Sequence, residues 1–381
     1  MTADSTSHKS NAAEAPVLVH SAQSRHIDLK QLNRVLVIML RHHGDVLLTS
    51  PVFSTLKNHY PHLQIDALVY ADTSPMLKGH PAISQLHLID RRWKKQGGIT
   101  QLKGEWQLLR QLRQRHFDLT LHLTPHWRGA WLNRLLRPRY ALVPDFQKDK
   151  RNGALWRGSF TDFYPYQAGA ERHTVDKNLE AVRYLGIEPG AADSRLLLCP
   201  GEEAQASALA HLQRHHVDTP YILVHPTSRW LFKCWEEQAL AETLDHLASQ
   251  GWPLVLTAAP DPQELAMVER ILARLHIARP VNLAGQLNLQ ELAALIAGAR
   301  AYLGVDSVPM HIAAAMQTPS VALFGPSQAC EWGPWQAPGK VISSRDFPRP
   351  TGEVVTNSKY RHSLINIPSS AVIKALEDIL A

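Results

Sequence analysis

The stretch Arg34-Val35-Leu36-Val37-Ile38-Met39-Leu40-Arg41-His42-His43-Gly44-Asp45-Val46 decides the fold class. Its apolar run, residues 35–40, is short and β-branched, which reads as a strand buried on both faces. A polar turn follows and leads into a helix candidate at 46–58. Outward from this unit the same alternation recurs, with strands at 65–70, 85–89 and 119–123 and helices at 101–116 and 127–136. Short apolar strands alternating with amphipathic helices imply a parallel sheet. Residues 141–169, rich in Arg, Gly, Tyr and Pro, show no clear period. A helix at 175–185 stops at Gly186, and 188–203 reads as a linker punctuated by Pro and Gly. The alternation then restarts, with strands at 221–224, 254–257, 281–283, 301–303 and 321–324 and helices at 235–249, 262–275, 289–297 and 308–316. The chain is therefore expected to be an α/β protein of two domains of similar size, divided near 186–210, with a ligand cleft outside the carboxyl ends of the strands.

The composition narrows the class. A chain of 381 residues that is 45% hydrophobic and 19% charged can bury a core and does not suit a disordered protein. No apolar run approaches the roughly 18 residues of a membrane span. Residues 1–33 are rich in Ser, Ala, His and Asn without an apolar core, and read as a flexible tail rather than a secretory signal. Three scattered cysteines offer neither a disulfide framework nor a zinc site, which fits the cytoplasm. The net charge of +6 is unevenly spread: residues 86–140 hold twelve basic and three acidic side chains, and the remainder is slightly acidic. Such a local excess predicts an anionic partner for one face.

Three motifs carry chemistry. Gly44-Asp45 ends the first strand, where Gly44 permits a tight turn and Asp45 either caps the next helix or faces the cleft as a carboxylate able to take a proton from an attacking hydroxyl. The first strand of the second half runs into His225-Pro226-Thr227-Ser228-Arg229-Trp230-Leu231-Phe232-Lys233-Cys234-Trp235, whose hydroxyls and lysine suit a diphosphate or merely a solvated, capped loop. Gly304-Val305-Asp306-Ser307-Val308-Pro309-Met310-His311 follows a later strand. There Gly304 lets backbone approach a ligand, Asp306 can cap the helix, Pro309 is tolerated in a first turn, and the helix N-terminus can meet phosphate oxygens. His311, one turn in, either bonds a phosphate or is packed. The weaker Phe324-Gly325-Pro326-Ser327 turn lies beside it. Neither Gly-x-Gly-x-x-Gly nor Gly-x-x-x-x-Gly-Lys-Ser/Thr occurs, which removes support for nicotinamide-linked hydride transfer and P-loop nucleotide hydrolysis.

As an ordered set these motifs resemble the ADP-heptose:lipopolysaccharide heptosyltransferases, and most of all the heptosyltransferase III branch, over residues 34–381. The resemblance implies a GT-B fold of two facing Rossmann-like domains and an inverting, metal-independent transfer of heptose from ADP-heptose to a heptose of the lipopolysaccharide inner core, as a side branch on heptose II. It implies Asp45 as general base, and Thr227, Ser228, Lys233, Leu287, Asp306, Ser307, Val308 and His311 as donor contacts. Arg41, His42, His43, Arg110 and Arg113 become candidate contacts of the anionic acceptor. No cofactor or metal is implied; the donor is a substrate, and the scattered histidine pairs lack the cysteine or carboxylate cluster of a metal site.

The corresponding organisation is a tail at 1–33, an acceptor domain at 34–190, a linker at 191–210, a donor domain at 211–367, and a C-terminal helix at 368–381 packing back on the first domain. The family's Asp-Thr-Gly reads Asp306-Ser307-Val308 here, and its acidic residue after the second strand of the donor domain falls to Asp261 or Glu264. The basic segment then meets the acceptor or anionic headgroups at the cytoplasmic face of the inner membrane as a peripheral contact, without nucleic acid and without an obligate protein partner. In the helix at 101–116, the leucines read mainly as core-facing. The competing readings are heptosyltransferase I or II, and a non-catalytic module for an anionic glycolipid or nucleic acid.

Overall fold

The computed structural model describes residues 27–145, 153–166, 171–217, 220–348 and 363–381. The first sheet holds β1 (Arg34–Ile38), β2 (Gln64–Tyr70), β3 (Gln85–Ile89), β4 (Leu119–His122), β5 (Tyr140–Asp145) and β6 (Asp162–Pro165), in the order β3-β2-β1-β4-β5-β6. β1 is buried because it pairs on both sides, Val35 lying between Ile65 and Leu119. The second sheet holds β7 (Ile222–His225), β8 (Leu254–Leu256), β9 (Val281–Asn282), β10 (Ala301–Val305), β11 (Ser320–Phe324) and β12 (Gly339–Ser343), in the order β12-β11-β10-β7-β8-β9. Read from its far edge, it repeats the topology of the first. All pairings are parallel. In each sheet the order reverses beside the first strand, which opens a crevice at the carboxyl ends of β1 and β4 and of β7 and β10.

The connections of the first half are α1 (His43–Leu47), α2 (Ser50–His59), α3 (Gly98–Arg115), α4 (Trp127–Leu136), α5 (Ala154–Arg157) and α6 (Thr174–Tyr184). Those of the second are α7 (Glu202–Arg214), α8 (Glu237–Ser249), α9 (Pro262–Leu272), α10 (Leu289–Gly298), α11 (Val308–Ala315), α12 (Ala329–Trp332) and α13 (Ser369–Leu380). The single helix expected at 46–58 is two. Pro51, in the first turn of α2, has no N–H to give back to the preceding turn, and the Thr49 hydroxyl takes the Val46 carbonyl at 2.6 Å. β5, β6 and β12 were not expected. β6 and β12 are sheet edges, where pairing on one side leaves a weak apolar pattern and tolerates Pro165.

Three expected boundaries change. Ile27, Leu29 and Leu32 are buried in the core, so residues 27–33 are packed chain rather than tail; 1–26 lie outside the described residues. The linker expected at 191–210 is shorter, because α7 buries Ala204, Ala208 and Leu212 against α10 of the second half. The C-terminal helix does not return to the first domain. α13 buries Val372, Ala375 and Leu376 against α8 and the β10–β12 side of the second sheet, where its apolar face finds a core.

One core cluster runs through both halves, from Val46 and Leu47 to Met310 and Ile312, and α1 packs against α11. Polar contacts add to the junction: Gln290 Nε2 donates to the Pro75 carbonyl at 2.8 Å, and Lys177 pairs with Glu331 at 2.6 Å. Among the described residues no helix is long and apolar enough to cross a membrane.

Candidate active site

α1 and α11 bring the sequence motifs of the two halves face to face. Asp45 lies inside the first turn of α1, and its Oδ2 accepts the His42 N–H at 3.2 Å. Asp45 is therefore not the N-cap expected from sequence but the N3 partner of a capping box whose N-cap is His42, a contact worth about 1 kcal/mol. Its other oxygen meets only the mostly exposed Arg41 guanidinium, at 3.4 Å. The His43 ring donates from Nε2 to the Asp72 carbonyl at 2.8 Å, and burial lowers its pKa; His42 is exposed.

Gly44 does not make the tight turn expected of it, since it sits within α1 without a positive φ. What requires glycine is the opposite domain: a Cβ here would stand 3.1 Å from His311 Cδ2 and 3.4 Å from Nε2. His311 is buried, and its Nδ1 has no hydrogen-bond partner. Burial pushes its pKa below the ordinary value against the raising pull of Asp306 and Asp45, which favours a neutral imidazole. Gly44→Ala therefore separates two effects. Helix propensity alone favours alanine by about 1 kcal/mol, whereas displacing the imidazole by a few tenths of an ångström misaligns the junction. We expect turnover to fall roughly tenfold with an unchanged or raised thermal midpoint, read by steady-state kinetics beside calorimetry.

In the second half, Lys233 Nζ pairs with Asp306 Oδ2 at 2.5 Å and lies 5.0 Å from the centre of the half-exposed Trp230 ring. Asp306 is thus committed to the lysine and does not cap α11, whose N-cap is Ser307. The Ser307 hydroxyl donates to the Val305 carbonyl at 3.2 Å, so it does not cap either. The N-terminus at Val308, where the helix dipole is positive, carries no side-chain cap beside the Lys233–Asp306 pair. Leu287 lies half-buried between β9 and α10.

Several sequence expectations shift. Thr227 is fully buried, and its hydroxyl donates to Glu264 Oε2 at 2.6 Å, so that proton is spent inside the domain rather than on a cleft ligand. The Ser228 oxygen accepts the Trp230 N–H at a long 3.4 Å and is nearer to free. Of the two acidic candidates, Asp261 caps α9 through the Gln263 and Glu264 N–H groups, whereas Glu264 is buried against Thr227. Gly304 is not held open for a ligand; a Cβ there would fall within 3 Å of the Tyr302 ring. Arg110 and Arg113 lie near the end of α3 remote from the cleft, because the Arg115 carbonyl at that end accepts from Arg34 at the start of β1. Arg110 covers Trp106, and Arg113 bonds the Leu135 carbonyl. The His311–Gly44 approach was not anticipated, since no sequence spacing relates residues in different domains.

Two Rossmann-like halves meet here, with the Gly44-Asp45 turn of one beside the Lys233–Asp306 pair and the α11 N-terminus of the other, which is the GT-B arrangement. The comparisons narrow this further. The model of glycosyltransferase family 9 (heptosyltransferase) matches residues 105–360. Lipopolysaccharide heptosyltransferase 3 of Escherichia coli K12 is 36% identical over 344 residues, 90% of this chain and 96% of its own, and a second Escherichia coli protein of that name is 34% identical over 342 residues, 90% and 97%. In fold, the crystal structure of a family 9 glycosyltransferase from Veillonella parvula superposes with a TM-score of 0.78 at 24% identity, covering 91% of this chain and 97% of that one. The chain belongs to glycosyltransferase family 9, the heptosyltransferases.

Proposed function

We propose that this heptosyltransferase transfers heptose from ADP-heptose to a heptose of the lipopolysaccharide inner core, as the side branch on heptose II. The observation that carries the reading is the convergence of Asp45, His311, Lys233 and Asp306 at the junction of α1 and α11. The level of identity to the two heptosyltransferase 3 relatives supports the branch.

In this mechanism the donor diphosphate takes the Lys233 ammonium from Asp306 and lies across the N-terminus of α11, with Ser228, Ser307, Val308 and His311 around it and Leu287 beside the adenine. Thr227 acts one step removed, by holding Glu264. Asp45 takes the proton of the acceptor hydroxyl as that oxygen bonds to the anomeric carbon. The bond to ADP breaks on the opposite face and its electron pair leaves with the diphosphate. A single displacement of this kind inverts the β-linked donor to an α-glycoside. Charge on the leaving group is met by Lys233 and by oriented backbone N–H groups.

In this reading the transfer needs no metal ion, the leaving charge being met by Lys233 and the α11 N-terminus. Arg41 and His42 stand nearest Asp45 as acceptor contacts, with the transfer placed at the cytoplasmic face of the inner membrane. The test is transfer from ADP-heptose to core acceptors truncated at successive steps, with EDTA present. Heptose added only to acceptors that already carry heptose II supports the reading. Transfer to an acceptor lacking it, or activity lost on chelation, overturns it.

A further inference from the structure

Neighbouring residues of α6 hold two different parts of the molecule. Lys177 reaches across to the second half, where its ammonium pairs with Glu331 of α12 at 2.6 Å, although the lysine side chain is only 8% exposed. Asn178, also buried, stays within the first half and donates from Nδ2 to the Leu48 carbonyl at 3.0 Å. Leu48 closes α1, three places after Asp45. With five residues, α1 is too short to be fixed by its own hydrogen bonds, so its place is set by what it packs against. A shift at Leu48 is therefore a shift of the carboxylate.

The contact with α12 is broader than one ion pair. His173, the N-cap of α6, accepts the Val175 N–H on Nδ1 at 3.2 Å and donates from Nε2 to the Gly333 carbonyl at 2.9 Å. Its ring stacks on Trp335, with centroids 4.5 Å apart and 26° between the planes. The Trp335 indole N–H in turn donates at 2.7 Å to the carbonyl of Ser194, in the chain between α6 and α7. The connection from β11 to β12 thus leaves the carboxyl end of the second sheet and is clasped by α6 and the chain that follows it.

The halves also touch on the other side of β1, through Gln290 and the Pro75 carbonyl that follows β2, whereas α6 lies over β5 and β6. Contacts on both sides of the α1–α11 approach oppose rotation of one half over the other. We propose that Lys177 and Asn178 are positioning residues for the transfer: through α6 they tie α1, and with it Asp45, to residues 328–336 of the donor half. The carboxylate is then held at a fixed separation from the Lys233 side of the cleft, where an error of about 1 Å is enough to cost roughly a hundredfold in rate. This rests on the proposed role of Asp45 as general base.

Lys177→Met and Asn178→Ala are made separately in the full chain, so that a failure of either to fold leaves the other. Each is expected to lower kcat roughly tenfold, at a temperature well below its thermal midpoint, with the KM for ADP-heptose and the affinity for ADP within about twofold. Lys177→Arg keeps the pair with Glu331 and should restore most of the lost rate, and Glu331→Gln added to Lys177→Met should cost little more, because the pair is already broken. Amide exchange across residues 43–49 should quicken in both single variants, since α1 has lost part of what holds it. A role in stability alone would lower the midpoint and leave kcat intact, and that result overturns the proposal. So does an equal loss of ADP affinity, which would place the effect in the donor site, or unchanged exchange across 43–49. The exchange is read without turnover, so a neutral Asp45→Asn would remove the base assignment while leaving the hold of α6 on α1 to be decided by its own measurement.

Discussion

Asp45→Asn is expected to lower kcat by roughly two to four orders of magnitude while leaving the KM for ADP-heptose within about twofold. The substitution is chosen because asparagine keeps an oxygen able to accept the His42 N–H, so the first turn of α1 stays capped as it is by the carboxylate. What is lost is the group that can take a proton. The magnitudes separate the two roles open to this residue: a cap is worth about 1 kcal/mol of stability, whereas general-base catalysis accounts for about 3 to 5 kcal/mol of barrier. If Asp45 only caps, Asn would be nearly neutral in both stability and rate, and Asp45→Ala would cost about 1 kcal/mol of stability with turnover intact. Steady-state kinetics of the two variants beside their thermal midpoints decide the question.

Lys233→Met should act on the donor instead. Its ammonium pairs with Asp306 in surroundings that leave the two side chains only 15% and 10% exposed. Removing the cation does two things. The diphosphate loses its nearest positive charge and meets an unpaired Asp306 carboxylate, so kcat/KM for ADP-heptose should fall by at least roughly 10²-fold. The folded protein also retains a poorly solvated charge, at a cost of about 3 kcal/mol. Adding Asp306→Asn removes that charge, so the double variant should recover most of the stability and little of the donor binding. Recovery of donor binding together with stability would mean that Lys233 serves the fold and not the diphosphate. Calorimetry and ADP titration of the three proteins measure the two effects separately.

Much of the site was legible because its residues lie next to strand ends. Gly44-Asp45, Ser228 to Lys233 and Asp306 to His311 each follow a buried apolar run, and the two sheets place all three at their crevices. The exceptions have local causes. Thr227 looked like a ligand hydroxyl until Glu264, 37 residues on in the first turn of α9, proved to be its partner. Arg110 and Arg113 looked like acceptor contacts by charge alone, yet eighteen residues of α3 carry them towards the end away from the crevice. The expected core seam of α3 was half wrong for a related reason. A helical repeat identifies an apolar face without saying whether protein covers it, and on α3 it is Leu108 and Leu112, with Leu109 partly buried beside them, that pack into the core.

The sequence by itself determined the α/β class, the doubled domain and the position of the three candidate loops at strand ends, because strand burial and loop position follow from local patterning along the chain. Only the tertiary structure decided what those loops face. It set His311 against Gly44, tied Lys233 to Asp306, spent Thr227 on Glu264 and turned the tryptophans of α3 and α4 outward. Each of these depends on residues far apart in the chain, brought together by the order of strands within each sheet and by the packing of the two halves rather than by any periodicity along the chain.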